Sequence, residues 1–406
     1  MNFDSQLFYE NWFQDILDEQ KRCNTGAVPD TCPYYYGMSP ARWNTSVFVM
    51  IPYFLYRYFG DTQVMERHWD ALLWYMEYQK TKLGADGLIA DDYVGEWCPP
   101  MKNSILEDRQ SAFSKEISNS LQTGCFYYME CMLCLKMAEL LGDHRAQKDF
   151  ALRMKSMKAA INHRFFDEAA GCYRPLCQGN QILPLYLGLI PEGFDDRVRK
   201  HLTACIAERD RYHISTGSHT TRFLFAVLSM IGENDLAVRM LSETTYPSFG
   251  YMLENGATAL WERWEKNLGF MTSHDHPMSG GFGVWFLQYL GGIGLGRYAD
   301  AAPLRIAPVV PRQLRFVNSR RKCRTGEIVS NWYKTGDEIH FDFRIPWNLP
   351  VSIALPKLGC TRADLTINGK PAVDDPMLEE TAAAFCREVG MGYWHMVLRP
   401  GAAAGN

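Results

Sequence analysis

The strongest constraint on the fold is a change in the spacing of apolar residues along the chain. In the longer first part they recur at helical spacing, as in the run that contains Trp12 and Phe13. After Gly296, short segments such as 338–343 and 393–398 alternate apolar and polar residues, which is typical of strands with one buried face. The sequence therefore predicts about nine or ten helices followed by a small antiparallel β-sandwich.

This change also predicts two domains. We expect a helical domain at 1–296, a β-sandwich domain at 297–400 and a flexible tail at 401–406. A chain of 406 residues, 47% of them hydrophobic, is long enough to bury more than one core.

The connections between the predicted helices differ in length. Some are only a few residues long, but others are long, aromatic and rich in Pro and Gly, namely 22–43, 84–118, 244–257 and 265–281. Long loops within a compact domain often carry function. Short turns at one end and long aromatic loops at the other predict a helical toroid whose site lies at the loop end.

The charge pattern and the first residues narrow the expected partners and location. The formal net charge is -4 and the Lys and Arg residues are scattered, so the basic stripe that nucleic acid requires is missing. The longest apolar run, 47–56, contains Pro52 and is too short to span a bilayer. The N-terminus also lacks the pattern of a secretory signal. We therefore expect no nucleic-acid partner, no membrane association and a cytoplasmic location.

The cysteines give no sign of a disulfide framework or a metal site. Twelve of them are spread along the chain, which suits a reducing compartment. Cys131 and Cys134 form a C-x-x-C inside a helical run, but no second Cys or His pair lies nearby to complete a zinc site. We expect both to pack in the core. Because P-loop and dinucleotide fingerprints are also absent from the sequence, we predict no metal and no cofactor.

The stretch GATALWERWE, residues 256–265, places Glu262 between Trp261 and Trp264. Glu262 lies four residues before Lys266, so one interpretation is a surface ion pair on a short helix. The other is a sugar site, because a pyranose stacks on aromatic rings while carboxylates serve as acid, base or hydroxyl acceptor. The residues alone leave both interpretations open.

A second loop repeats this combination of acids and a tryptophan, and a third loop adds another aromatic side chain. The segment DDYVGEWCPP, residues 91–100, contains Asp92, Glu96 and Trp97, and is alternatively a solvated turn with one buried indole. The segment ARWNT, residues 41–45, adds Trp43 on another loop. The pair His274 and His276 is interpreted as hydrogen-bonding groups, because the sequence shows no further metal ligands at suitable spacing.

Several segments resemble one known family in the same order along the chain. They are FYENWFQDILDEQ at 8–20, GEWCPP at 95–100, ILPLYLGLIPEG at 182–193, YPSFGYMLENGATALWERW at 246–264 and SHDHPMSGGFGVWF at 273–286. Together with the closing strands they cover nearly the whole chain. The chain thus resembles the bacterial α-L-rhamnosidases of glycoside hydrolase family seventy-eight.

The resemblance implies an (α/α)₆ six-hairpin toroid, incomplete at its N-terminal end, followed by the β-sandwich. It also implies metal-free, inverting hydrolysis of terminal α-L-rhamnosyl residues in rhamnose-containing carbohydrates. Inversion needs a general acid at the leaving oxygen and a general base that activates water on the opposite face of the sugar. Glu262 matches the family's general base. The residues that match or flank the rhamnose pocket are Trp43, Asp92, Glu96, Trp97, Trp261, Arg263 and His276.

Three positions depart from the family pattern. Glu96 stands where the family usually has Asp, which keeps the charge on a longer side chain. Asn44 and Thr45 replace a usual Gly-Asp, so a carboxylate is lost there. Asp275 stands where family members commonly have Asn.

The resemblance also implies that the family's general acid lies in a loop upstream of the helix that begins near Asp4. Three hypotheses follow: the chain is the C-terminal part of a rhamnosidase, or a short form in which Asp91, Asp92 or Glu96 replaces the acid, or a non-catalytic carbohydrate-binding module. The family's first toroid helix is also missing, so an exposed apolar seam is expected where that helix would close the ring, with self-association as one consequence.

Overall fold

The computed structural model describes residues 5–33, 43–89, 96–101, 117–266, 273–294, 304–323, 325–347, 349 and 351–400, without the side chains of residues 43 and 44. Two compact units are found. The first consists of Phe3–Val227 and Arg239–Ser279, and the second of Leu228–Val238 and Gly280–Asn406. The predicted domain division between residues 296 and 297 stays a prediction.

Eleven α-helices lie within the described residues. They are α1 (Gln6–Cys23), α2 (Trp43–Phe59), α3 (Gln63–Lys80), α4 (Asn119–Leu141), α5 (His144–Phe165), α6 (Gln178–Leu187), α7 (Asp195–Ala204), α8 (Ser218–Met230), α9 (Asn234–Leu241), α10 (Phe249–Glu254) and α11 (Gly281–Trp285). Two π-helical turns, Cys205–Arg209 and Phe286–Leu290, continue α7 and α11.

Two of these helices, α6 and α10, are not predicted by the hydrophobic period. All ten residues of α6 are buried, so it has no polar face to set a period, and Pro184 lies inside it. α10 has only six residues, and a helix this short spans less than two turns. Both helices owe their stability to packing more than to local sequence.

The helix ends follow simple backbone rules. Gly60, Gly142 and Gly232 lie just after the ends of α2, α4 and α8, and all have positive φ, which glycine adopts without steric cost. Between α4 and α5, Asp143 accepts hydrogen bonds from the backbone N–H groups of Arg145 and Ala146. Gly142 ends α4 and Asp143 caps the start of α5, so these two helices form an antiparallel hairpin.

The second unit contains two β-sheets that share one core. The strands are β3 (Ile293–Gly294), β4 (Arg305–Ile306), β5 (Phe316–Cys323), β6 (Gly326–Thr335), β7 (Glu338–Ile345), β8 (Val351–Pro356), β9 (Leu365–Ile367), β10 (Lys370–Pro371), β11 (Leu378–Glu380), β12 (Ala384–Val389) and β13 (Gly392–Leu398). The sheets have the orders β10-β9-β13-β7-β6-β5 and β11-β12-β8-β4-β3. The short hairpin β1 (Phe166–Asp167) and β2 (Cys172–Tyr173) lies in the first unit.

The predicted β-sandwich is confirmed, with one difference in strand direction. The segments predicted at 338–343 and 393–398 lie within β7 and β13. Inward-facing residues of both sheets, among them Trp332 and Ile353, form one cluster of buried side chains. β4 pairs with β8 in parallel, so the sandwich is not wholly antiparallel.

The cysteines and the first helix can be compared with their predictions. All twelve cysteines are described and free, and Cys131 and Cys134 are fully buried, so their packing in the core is confirmed. On α1, Leu7 and Phe8 are 73% and 63% exposed. Among the described helices none is long and apolar enough to cross a membrane. Self-association and the cytoplasmic location stay predictions.

Candidate active site

The segment around Glu262 is irregular and is not a helix. Residues 257–266 contain only bends. The backbone N–H of Glu262 donates to the carbonyl of Ser273 at 2.9 Å, and that of His276 donates to the carbonyl of Leu260 at 2.8 Å. The interpretation of Glu262 and Lys266 as a helical surface pair is therefore wrong, because these backbone bonds hold the segment against 273–276.

The Glu262 carboxylate is partly exposed, and both of its oxygens accept hydrogen bonds. The Trp97 indole Nε1 donates to Oε1 at 3.2 Å across 165 positions of sequence. The backbone N–H of Ser273 donates to Oε2 at 3.1 Å. Hydrogen bonds to an ionised carboxylate are strong and directional, so these two donors fix its orientation.

The two tryptophans beside Glu262 are buried. Trp261 is 3% exposed and its ring stacks on His274, with centroids 4.6 Å apart and an interplanar angle of 18°. Trp264 is 2% exposed and donates its indole N–H to the carbonyl of Thr216 at 3.1 Å. Both side chains therefore fix the backbone around Glu262, while Glu262 itself reaches solvent.

The segment 96–101 brings Trp97 to Glu262 by docking on the start of α8. The backbone N–H of Ser218, the first residue of α8, donates to the carbonyl of Trp97 at 2.8 Å. The N–H of Thr220 donates to Glu96 Oε1 at 3.0 Å. Gln122 on α4 donates to Glu96 Oε2. Trp97 itself is partly exposed.

The Glu96 carboxyl lies inside the unit and not in the open site. Its exposed fraction is 0%. Burial raises the pKa of Glu96 from an ordinary 4.5 to about 7, because a charge loses hydration there, and the hydrogen bonds from Thr220 and Gln122 offset only part of this shift.

The other end of this segment is held by two residues that the sequence did not reveal. Glu265 Oε1 accepts hydrogen bonds from the backbone N–H of Met101 at 2.9 Å and from the Tyr246 hydroxyl at 2.5 Å. Burial and the neighbouring charge of Glu265 raise the pKa of Tyr246. Glu265 lies in the motif that drew attention to Glu262, so its position was visible but its partner Met101 was not.

The remaining predicted residues are placed as follows. Burial raises the pKa of the Cys98 thiol to about 12, and the positive charge of Arg263 acts against this shift, which places Arg263 near the segment 96–101. The side chain of His276 is partly exposed. The side chain of Trp43, and all of Asp91 and Asp92, lie outside the described residues.

Within the described part of the chain, no three His, Cys, Asp or Glu side chains cluster as metal ligands would. The arrangement offers instead a partly exposed carboxylate, an indole that donates to it and a backbone held from both sides. These groups are those of a site that positions a water molecule or a hydroxyl group.

Comparison with known proteins identifies the family of the chain. Residues 1–290 match the family of the bacterial α-L-rhamnosidase six-hairpin glycosidase domain. The chain belongs to this α-L-rhamnosidase family. Residues 303–369 match the bacterial α-L-rhamnosidase C-terminal domain. The expected six-hairpin fold followed by a β-domain is thereby confirmed.

Individual relatives agree with this assignment. An α-L-rhamnosidase of Formosa agariphila is 27% identical over 365 residues, which are 87% of this chain and 38% of that protein. The structure of the α-L-rhamnosidase from Dictyoglumus thermophilum matches with a TM-score of 0.88 and 30% identity, over 98% of this chain and 44% of that one.

A Streptomyces avermitilis α-L-rhamnosidase solved in complex with L-rhamnose matches with a TM-score of 0.83. At 22% identity, over 97% of this chain and 36% of that chain, it supports the fold alone. This chain thus spans less than half the length of these relatives.

Proposed function

We propose that this chain carries the general base of an inverting α-L-rhamnosidase, and that Glu262 is that base. The observation that supports this most is the hydrogen bond between Trp97 and Glu262, which joins two distant loops at a partly exposed glutamate. The substrate class is a carbohydrate with a terminal α-L-rhamnosyl residue.

The hydrogen bonds of Glu262 suit a base that activates water. A carboxylate has about four acceptor sites on its two oxygens. Trp97 and Ser273 occupy one on each oxygen, which leaves sites that can accept a proton from water. Because the backbone carbonyls of Trp97 and Ser273 also accept hydrogen bonds, both donors are held in place, as a positioned base requires.

The surroundings of Glu262 supply the surfaces that a sugar needs. We assign the partly exposed indole of Trp97, together with Trp43, Arg263, His276 and Asp92, to the wall of the rhamnose pocket. Aromatic faces bind the apolar face of a pyranose, and the polar groups accept or donate hydrogen bonds to its hydroxyls. Trp261 is nearly fully buried, so its role is to support Glu262 from behind.

The general acid is a separate question from the base. Glu96 was one candidate, but its side chain has no exposed surface from which to reach a leaving oxygen. Asp91 and Asp92 lie outside the described residues. A test of the base therefore needs a substrate whose leaving group departs without protonation.

The experiment compares two substrates and two variants. With 2,4-dinitrophenyl α-L-rhamnoside, whose leaving group needs no acid, the wild-type chain is expected to exceed the buffer rate. Glu262→Gln is expected to lower that rate by about 10²- to 10⁴-fold. With an alkyl α-L-rhamnoside, which needs an acid, the wild-type rate measures how well the chain supplies one.

Glu254→Gln is the matched control, because Glu254 is an exposed glutamate on α10. It is expected to leave both rates unchanged. Equal rates for wild type and Glu262→Gln on the dinitrophenyl substrate, or a wild-type rate no higher than buffer, would contradict the proposal. Binding of L-rhamnose without any turnover would favour a carbohydrate-binding module instead.

A further inference from the structure

We propose that Glu96 is a positioning residue, which ties Trp97 to the first turn of α8 and so holds the Trp97 indole against Glu262. This proposal rests on the proposed role of Glu262. It assigns Glu96 no contact with substrate, in contrast to the pocket role that the sequence suggested. Three features of the structure carry it: the missing cap of α8, the close approach at Gly217 and the neutral surroundings of the carboxyl.

The first feature is that α8 lacks a cap of its own. Gly217 precedes the helix, and its carbonyl accepts the first helical bond, from Thr221 N–H at 3.0 Å. The first N–H groups of a helix have no partner within it, and a Ser, Thr, Asp or Asn at this position normally supplies one. Gly217 has no side chain to do so.

The segment of Glu96 and Trp97 provides this cap from far away in the sequence. The carbonyl of Trp97 accepts from Ser218 N–H at 2.8 Å, and Glu96 Oε1 accepts from Thr220 N–H at 3.0 Å. The backbone and side chain of two consecutive residues thus fasten one segment to one helical turn.

The second feature is the space that the glycine leaves. A Cβ atom added to Gly217 would lie 2.1 Å from the carbonyl oxygen of Trp97 and 3.0 Å from Glu96 Cγ. Only glycine lets the two backbones approach this closely. The segment cannot move toward α8, and the cap hydrogen bonds oppose its movement away.

Two more anchors complete the positioning of Trp97. Gln122 on α4 donates to Glu96 Oε2, so that one carboxyl group joins α4, α8 and the segment. At the other end, Met101 donates to Glu265 at 2.9 Å. Trp97 therefore lies between two held points, and its indole Nε1 has little freedom except to face Glu262 Oε1.

The third feature is that the hydrogen bonds of the Glu96 side chain depend on its shape more than on its charge. Its partners are an amide side chain and a backbone N–H, both neutral. Gln122 Oε1 is buried without a hydrogen-bond partner. A half-turn of the Gln122 amide would let Oε1 accept from the new amide of Glu96→Gln, while the carbonyl of that amide accepts from Thr220. Glu96→Gln should therefore preserve the arrangement, whereas Glu96→Ala should lose it.

The test measures Trp97 directly and separately from activity. The indole ¹H–¹⁵N resonance of Trp97 is assigned with Trp97→Phe and followed in Glu96→Gln and Glu96→Ala. Glu96→Gln is expected to keep this resonance in place and to retain at least about a third of the wild-type rate on 2,4-dinitrophenyl α-L-rhamnoside. Glu96→Ala is expected to shift or broaden it, since two buried partners lose their acceptor.

Glu130→Ala is the matched control for simple loss of stability. Glu130 is also fully buried on α4, where Ser46 and Tyr75 donate to it at 2.7 and 2.8 Å. This variant is expected to lower stability without moving the Trp97 resonance.

Three results would overturn the positioning role. An unchanged Trp97 resonance in Glu96→Ala would show that Glu96 does not hold the indole. Loss of hydrolysis in Glu96→Gln with an unmoved resonance would make Glu96 part of the chemistry. A shift of the Trp97 resonance in Glu130→Ala equal to that in Glu96→Ala would show that the shift follows from a general loss of stability. If the wild-type chain hydrolyses nothing, the proposed function fails, but the resonance still decides the role of Glu96.

Discussion

Two segments of this protein pair a glutamate with a tryptophan, and they bury opposite members of the pair. In the first, Glu96 is fully buried and Trp97 is partly exposed. In the second, Trp261 is 3% exposed and Glu262 is partly exposed. The partly exposed Trp97 donates its indole N–H to the carboxylate of the partly exposed Glu262 at 3.2 Å. The two segments therefore use the same two residue types in opposite ways: one presents its tryptophan and the other presents its glutamate.

The difference shows what decides the role of an acid near a tryptophan. Glu96 reaches a helix start and an amide on another helix, so its oxygens are used for fastening. Glu262 accepts hydrogen bonds from an indole and a backbone N–H, and it stays partly exposed. Adjacent residue types do not distinguish these cases, because the deciding partners are distant in the sequence.

The largest effect on this comparison is expected from removing the indole that joins the two segments. Trp97→Ala loses a hydrogen bond to a charged group, which is worth about 1.5–3 kcal/mol, and an aromatic surface for the sugar. We expect kcat/KM on 2,4-dinitrophenyl α-L-rhamnoside to fall by about 10- to 100-fold. Trp97→Phe keeps the ring and isolates the contribution of the N–H. An unchanged kcat/KM in Trp97→Ala would show that the contact between the two segments does not contribute to activity.

A smaller effect is expected from pushing the first segment away from α8. Gly217→Ala places a methyl group against the Trp97 carbonyl, and overpacking of this kind typically costs about 1–3 kcal/mol. We expect a lower melting temperature and a loss of about 10-fold in kcat/KM. The docking of residues 96–97 on α8 contributes to stability and also positions Trp97 for activity. Gly283→Ala on α11 is the control, because a Cβ there meets nothing within 4 Å. Equal behaviour of the two variants would argue against close docking at Gly217.

The smallest effect concerns the pH dependence of stability. Burial raises the pKa of Glu96 from 4.5 to about 7, so between these values the folded protein holds a proton that the unfolded chain has released. The contribution of Glu96 to the free energy of unfolding therefore falls as pH rises through this window. Glu96→Gln removes that fall, so the variant should gain stability relative to wild type between pH 5 and pH 7.

Urea unfolding at both pH values measures this difference. Glu254→Gln serves as the exposed control. Its free energy of unfolding should differ from that of wild type by the same amount at both pH values. If the free energy of unfolding of Glu96→Gln also differs from that of wild type by the same amount at both pH values, the Glu96 carboxyl titrates as it does in water.

Much of the fold could be predicted from sequence, because periodicity reports burial on one face. β7 is an example: its inward residues Phe341 and Phe343 alternate with outward ones, and its start at Glu338 agrees with the prediction. α6 was missed because it is buried on every side, so no period remains. The parallel pairing of β4 and β8 was also invisible, because pairing direction depends on distant partners.

The candidate site was predictable only in part. The composition of GATALWERWE drew attention to Glu262, and the resemblance to the α-L-rhamnosidases implied its role. The helix assumed there was wrong, since the backbone pairs with Ser273 instead. The functions of Gly217 and Glu265 depend on contacts with residues 96–101, which no local pattern reveals.

The central claim, that Glu262 activates water for attack from the opposite face of the sugar, is tested most directly by the stereochemistry of the first product. The measurement follows hydrolysis of 2,4-dinitrophenyl α-L-rhamnoside by the wild-type chain with ¹H NMR, before the product anomers equilibrate. Activation of water by Glu262 predicts that β-L-rhamnose appears first. Initial release of α-L-rhamnose would contradict the account, because retention requires a carboxylate that attacks the sugar itself.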